Sequence, residues 1–213
     1  RGAKRGPAHL MPSRPDTIVL ASGNAGKLAE IARILEDLDI AVVPQSGFGV
    51  TDADETGTTF IENALIKAQH AADATGLPAI ADDSGICVDA LGGRPGVYSA
   101  RYAGPDANDD SNNRLLLSEL DGVPDEQRGA AFHCVACFVA PGMEEPIIAE
   151  GEWRGRILRE QRGAGGFGYD PLFYLPELGK SSAELSPQEK NARSHRGQAI
   201  AELGRKLHAI EWE

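Results

Sequence analysis

TIVLASGNAGKLAEIARILEDLDIAVV, running from Thr17 to Val43, is the stretch that sets the fold class. Thr17 to Ala21 (TIVLA) is a short apolar run that reads as a buried strand. It leads through SGNAGK into a segment where Leu28, Ile31, Leu35 and Leu38 recur at helical spacing, which predicts a helix from about Lys27 to Leu38. Ile40 to Val43 then supplies a second short strand. Strand, helix, strand in that order is the unit from which α/β sheets are built.

Further along, Thr59 and Glu62 have the spacing of a capping box, which opens a helix that should end near Gly76. Its apolar stripe is Ile61, Ala64, Leu65, Ala68 and Ala72, with Asn63, Lys67 and His70 assigned to the other face. Pro78 to Ala90 reads as a strand interrupted by DDSG, followed by the Gly/Pro-rich loop GGRPGVYSARYAG and an amphipathic helix around Asn112 to Leu120. Two strands follow, Ala130 to Ala140 and Ile147 to Gly155, paired as a hairpin that carries a smaller lobe. Ser186-Pro187-Gln188-Glu189 caps a helical region at the C-terminal end. Helices interleaved with strands at both ends, around a central hairpin, predict an α/β domain with a mixed sheet. Residues 16–213 form this one domain, and residues 1–15, basic and Pro-rich, are set aside as a disordered arm or an added remnant, with Met11 as a candidate start.

The composition narrows the function. With 41% hydrophobic and 25% charged residues the chain is that of a globular protein with a substantial core. A net charge of −11 opposes long nucleic acid, because no basic stripe offsets a phosphate backbone. A small triphosphate needs only a few local cations and a metal. No run of 18 apolar residues suggests a membrane span. Three cysteines, Cys87, Cys134 and Cys137, are too few for a disulfide framework and point to a reducing cytoplasm. Cys134 and Cys137 have C-x-x-C spacing, but in the strand FHCVACFVA an odd spacing sends them to opposite faces, so they read as core.

Four groups of residues could do chemistry. Ser22-Gly23-Asn24-Ala25-Gly26-Lys27 sits at a strand-to-helix junction, where outward N–H groups and the helix dipole favour an anion. It is not a P-loop: Ala21 stands where the first Gly belongs and Leu28 replaces the Ser/Thr. Lys27 in a first helical turn opposes the dipole unless an anion compensates it, although a plain cap with a solvated lysine fits equally well. The acidic group comprises Asp52, Asp54 and Glu55 in one loop and Asp82 and Asp83 in another. One carboxylate from each segment suits magnesium, which takes oxygen ligands and tolerates few from protein, and Asp82 and Asp83 should face opposite ways on a strand. Each acidic segment alone also reads as a solvated loop. The basic group is Lys180, Lys190, Arg193, His195 and Arg196, with Ser194 as the cap of a fresh helical turn; such a group is otherwise a solvated helix face. In GAGGFGYDP, glycines let backbone approach a ligand and Phe167 or Tyr169 could stack on a base, while buried aromatics beside a turn at Asp170 are the plainer alternative.

Taken together, SGNAGK, FIENALIKA, ADDSGICVDALGGRPGVYSARYAG, GGFGYDPLF and SHRGQA, in this order, resemble the inosine triphosphate pyrophosphatase family. It is also called the dITP/XTP or non-standard purine NTP pyrophosphatase family, and the resemblance runs from about Thr17 to the C-terminal helix. The resemblance implies an elongated mixed sheet flanked by helices in two lobes, a central nucleotide cleft, and a homodimer. It implies that Ser22, Gly23, Asn24, Ala25, Gly26 and Lys27 bind the triphosphate and that Lys67 points to the phosphates. Glu55 and Asp83 would hold magnesium, with manganese as the alternative; Asp83 would accept the proton, with Ser84 contacting substrate. Phe167, Gly168, Tyr169, Asp170, Lys190, His195 and Arg196 would recognise the nucleotide. The implied reaction cleanses the nucleotide pool, splitting ITP, dITP and XTP into monophosphate and pyrophosphate. Donors to the 6-keto oxygen would select against adenine, where each unpaired donor costs about 1–3 kcal/mol. A related Maf-type pyrophosphatase acting on pyrimidine nucleotides and a non-catalytic nucleotide sensor are the rival readings.

Overall fold

The computed structural model describes residues 14–23, 25–36, 39–210 and 212. Seven strands form one mixed sheet in the order β2-β1-β3-β4-β5-β6-β7. They are β1 (Thr17–Leu20), β2 (Ala41–Pro44), β3 (Ala79–Val88), β4 (Gly129–Val139), β5 (Ile147–Ile157), β6 (Phe173–Leu175) and β7 (Lys180–Ser181). β1 lies between β2 and β3 and is parallel to both, as strand–helix–strand crossovers require. From β3 onward every pairing is antiparallel.

The helices cover both faces. α1 (Ala25–Leu35) and α5 (His195–His208) lie on one side, where Ile31, Leu35, Ile200, Leu203 and Leu207 pack on Ile18, Leu20, Ile80 and Phe138. α2 (Phe60–Thr75) covers the other with a small-residue stripe, Ala64, Ala68, Ala71 and Ala72, on Val19, Ala81, Val135 and Cys137. Alanines let this helix sit close to the sheet, which matters for the site below. The far ends of β3, β4 and β5 build a further core cluster with α3 (Asp109–Glu119), including Ile86, Leu116, Phe132, Trp153 and Phe173. α4 (Pro187–Arg193) joins this region to α5.

Local signals were mostly accurate. The Thr59 hydroxyl accepts from Glu62 N–H at 3.2 Å while the Glu62 carboxylate accepts Thr59 N–H at 3.1 Å, closing the expected capping box. Ser186 and Glu189 do the same for α4. Cys134 and Cys137 fall into different clusters on opposite faces, and burial pushes the Cys137 thiol up to about 12.

Three expectations change. β3 is continuous through Asp82-Asp83-Ser84-Gly85, because both carboxylates find cationic partners and so need no loop. α1 occupies Ala25–Leu35 rather than beginning near Lys27, and Leu38 lies outside the described residues, as does the expected arm apart from Arg14 and Pro15. Asn63, assigned to the polar face of α2, is fully buried: its amide meets Asp83, and buried polarity mimics an exposed face in a periodicity pattern.

Candidate active site

The site lies where β1 ends. β1 pairs with β3 only through Val19↔Ala79 and Leu20↔Ile80, and one further bond runs from Ala21 N–H to the Ile80 carbonyl at 2.8 Å. The chain then turns away into α1, so Asp82, Asp83 and Ser84 project from β3 beyond the carboxyl end of its neighbour. Crevices of this kind are where open α/β sheets bind ligands.

Alternation along β3 gives the two aspartates different surroundings. Asp82 faces the α1/α5 side and accepts from Lys27 Nζ at 2.7 and 2.9 Å and from Arg196 Nε at 3.3 Å. Burial raises the cost of its charge, but Lys27 and Arg196 outweigh that and hold the carboxyl at about 2. The anion that Lys27 requires at the start of α1 is therefore supplied, at least in part, by the protein. Asp83 faces α2, where Lys67 Nζ reaches it at 3.1 Å and Asn63 Nδ2 at 3.2 Å. Burial pushes this carboxyl up by more than Lys67 and Asn63 pull it down. Lys67 also donates to Glu55 at 2.7 Å. Burial opposes its charge, yet the two carboxylates hold the ammonium above its ordinary range.

Two cavities open on this strand. The first, of about 220 Å³, is lined by Ser22, Gly23, Lys27, Glu55, Lys67 and Asp82. Gln45, buried, donates to Asp52 at 2.6 Å and so anchors the acidic loop that carries Glu55. The second, of about 440 Å³, is lined among others by Ser84, Phe132, Phe167, Lys190, His195 and Arg196. Arg196 joins them: its guanidinium binds Asp82 and also donates to the Ser84 hydroxyl at 3.0 Å. Gly85 is required beside it, since a Cβ would collide with the Gly96 carbonyl and the Ser99 hydroxyl that close the cleft wall.

The larger cleft has one exposed ring. Phe167 is 60% exposed, with Lys190 Nζ 4.4 Å and Arg196 Cζ 5.9 Å from its centroid. Tyr169 lines the cleft from below; its ring is buried and its hydroxyl donates to the Ser99 carbonyl at 2.7 Å. Asp170 is also buried, accepting from Phe167 N–H at 2.8 Å, from the Ser182 hydroxyl at 2.9 Å and from Lys190. It thus holds the loop and its lysine in place. His195, the first residue of α5 behind its Ser194 cap, stacks on Phe132 with centroids 4.8 Å apart, and its Nδ1 has no partner among the described residues.

A family model described as the Ham1 family matches residues 18–206. The chain belongs to the Ham1 family. A dITP/XTP pyrophosphatase of Nitrosomonas europaea is 59% identical over 195 residues, spanning 91% of this chain and 95% of that one. One from Yersinia pestis is 58% identical over 184 residues, 86% of this chain and 93% of its own. Among solved structures, a HAM1 protein from Coxiella burnetii superposes with a TM-score of 0.87 at 51% identity, covering 91% of this chain and 99% of that one. A nucleoside-triphosphatase / dITP/XTP pyrophosphatase from Mycobacterium abscessus gives 0.72 at 42% identity, with 91% and 96% covered. The α/β reading and the mixed sheet flanked by helices are those of Ham1 structures.

In this Ham1-family chain the residues expected from sequence converge, with exceptions. Gly26, Asp54, Lys180 and Arg193 are exposed and line neither cavity. Asn24 lies outside the described residues, and of Ala25 only its place at the start of α1 is described. Asn63 and Gln45 belong to the site although sequence reading gave them no role in it, and Asp82, read there as one of two alternative carboxylates for a metal, instead pairs with Lys27 and Arg196. An alanine stripe was the available signal for Asn63: a helix that approaches the sheet so closely leaves a neighbouring amide nowhere but the interface.

The donor set fits a divalent ion. Glu55 and Asp83 already bring two carboxylates around one cation, the Lys67 ammonium, with Glu55 partly open to solvent. Among the described residues no group of three or more His, Cys, Asp and Glu converges. Two carboxylates, completed by water and phosphate oxygens, are what magnesium asks of a protein.

His195 yields a pH prediction. Burial, with Arg196 and Lys190 adding to it, lowers its pKa from 6.5 to about 3, so the ring is neutral at physiological pH. The unfolded chain takes up a proton below pH 6.5 that the folded one refuses, so this residue costs stability progressively as pH falls from 6.5 toward 3. Its imidazole resonances should show no titration between pH 5 and 8; a midpoint near 6.5 would refute the buried neutral ring.

Proposed function

We propose that the chain hydrolyses non-standard purine nucleoside triphosphates, ITP, dITP and XTP, to monophosphate and pyrophosphate, keeping them out of DNA and RNA. The observation that carries this is the pair of cavities bridged by the Arg196–Asp82 contact, one with an exposed ring flanked by cations and one lined by Lys27, Lys67, Glu55 and Asp82, with Asp83 held against it by Lys67. A flat base fits the first and a triphosphate the second. The identity to dITP/XTP pyrophosphatases supports the same reading.

Phe167 stacks on the base, while Lys190, Arg196 and the neutral His195 offer donors to its carbonyls. Lys27 and Lys67 neutralise phosphate oxygens at the junction. Asp83 orients a water for attack on the α-phosphorus and takes its proton; the new O–Pα bond forms as the bond to the bridging oxygen breaks, and pyrophosphate departs toward Lys27. Glu55 and Asp83 would hold magnesium or manganese, which when bound supplies positive charge to the phosphate oxygens. We further place the enzyme in the cytoplasm, as its free thiols favour, and as a homodimer on the family resemblance. No helix of the described residues is long and apolar enough to cross a membrane.

A panel of ITP, dITP, XTP, GTP, ATP, dTTP and UTP, scored for pyrophosphate against orthophosphate, tests this. Pyrophosphate should be the product, kcat/KM for ITP should exceed that for ATP by at least about tenfold, and chelation should stop turnover. Orthophosphate release, or preference for the pyrimidine nucleotides, would overturn the assignment.

A further inference from the structure

α3 and its C-terminal cap carry one stripe, Asp109, Asn112, Asn113, Leu116 and Leu120, that changes character along its length. The C-terminal half, Leu116 and Leu120, is fully buried in the core. The N-terminal half is polar although Asn112 and Asn113 are just as inaccessible. Each polar member holds backbone of a cleft wall. Asn112 accepts from Ala103 N–H at 2.8 Å and donates to the Ala100 carbonyl at 3.1 Å, pinning the segment that bears Ser99. Asn113 Nδ2 donates to the Gly168 carbonyl at 2.9 Å, and the Asp109 carboxylate accepts Gly168 N–H at 2.6 Å.

Gly168 is thus gripped on both sides of one residue, next to Phe167. Its φ of +60° is a left-handed conformation that glycine adopts readily, and the two bonds from α3 fix it there. The grip has a cost. Asn113 Oδ1 is buried with no partner among the described residues, and a leucine in its place would continue the apolar stripe without that penalty. A buried amide with one unsatisfied atom that nonetheless fixes a ligand-facing loop fits function held at some cost to stability.

We propose that Asp109 and Asn113 are positioning residues for base recognition: from α3 they fix Gly168 and so the angle at which the neighbouring Phe167 meets the base. They touch neither phosphate nor the attacking water. The inference rests on the pyrophosphatase reading for its substrate, and on the α3–Gly168 geometry for its content.

The test uses the full chain with Asn113→Leu, Asp109→Ala and the conservative Asp109→Asn, which keeps an acceptor oxygen. Asn113→Leu and Asp109→Ala should each raise KM for ITP by about tenfold with kcat within about twofold, as loss of ground-state binding does. Inosine monophosphate should bind correspondingly more weakly, while affinity for pyrophosphate with magnesium stays at the wild-type value. Asp109→Asn should restore KM to within about threefold of wild type. The proposal is overturned if KM is unmoved, or if kcat, pyrophosphate binding and thermal stability fall together, which is what a merely structural role would give. Absence of pyrophosphate release from ITP by the wild-type chain would instead refute the functional reading, whatever the variants do.

Discussion

Replacing Asp83 with Asn should lower kcat for pyrophosphate release by about a thousandfold while ITP still binds. The side chain keeps its shape, Asn63 can still donate to its remaining oxygen, and Lys67 retains Glu55 as a partner at 2.7 Å. What disappears is the ability to take a proton from the attacking water and one negative charge at the metal position. The stability of the same variant separates this account from simple damage. Burial raises the Asp83 pKa, so at neutral pH the fold disfavours its charged form relative to the unfolded chain. A neutral isostere removes that penalty, and the melting temperature should stay level or rise as activity vanishes. Pyrophosphate release measured beside calorimetric ITP binding and a melting curve decides it, and turnover near the wild-type rate would sink the assignment.

Replacing Lys27 with Met should act in the opposite direction on stability. Asp82 is almost completely inaccessible, and Lys27 is its nearest cation at 2.7 Å. Removing one partner of a buried pair leaves a charge that water cannot reach, at a cost of about 3 kcal/mol even with Arg196 retained. For a chain of this size that corresponds to roughly 6–12 °C in melting temperature. The pH dependence has a definite sign. In the wild type the Asp82 pKa sits at about 2, below its ordinary 3.8, so the pair stabilises fully above 3.8 and its contribution disappears as pH falls toward 2. The gap between the two proteins should therefore narrow below about pH 4. Adding Asp82→Asn to Lys27→Met should recover much of the loss, a coupling that a double-mutant cycle measures directly. A drop of less than about 3 °C for Lys27→Met would show that the pair is not what holds α1 to β3.

Much of this molecule was legible in its sequence where the physics is local. Caps at Thr59, Ser186 and Ser194, the odd spacing of Cys134 and Cys137, and the opposite orientation of Asp82 and Asp83 all follow from periods and propensities, and the structure agrees. What escaped depends on partners distant along the chain. DDSG looked like a break because two adjacent aspartates are poor strand formers, until Lys27, 55 residues away, and Arg196, 114 away, neutralise one of them. Asn63 looked like surface for the same reason, its partner lying 20 residues on. Periodicity reports polarity, and polarity separates inside from outside only when charges are unpaired.

Arg196, bound to Asp82 and Ser84, ties together two cavities that share β3 but differ in the rest of their supports. The smaller is completed by the β1–α1 junction, the acidic loop and α2, the larger by α3, α4, the start of α5 and the loop through Phe167. On the proposed function, selectivity can therefore be altered from α3, α4 or the loop through Phe167 while Asp82 and Asp83 keep their places on β3.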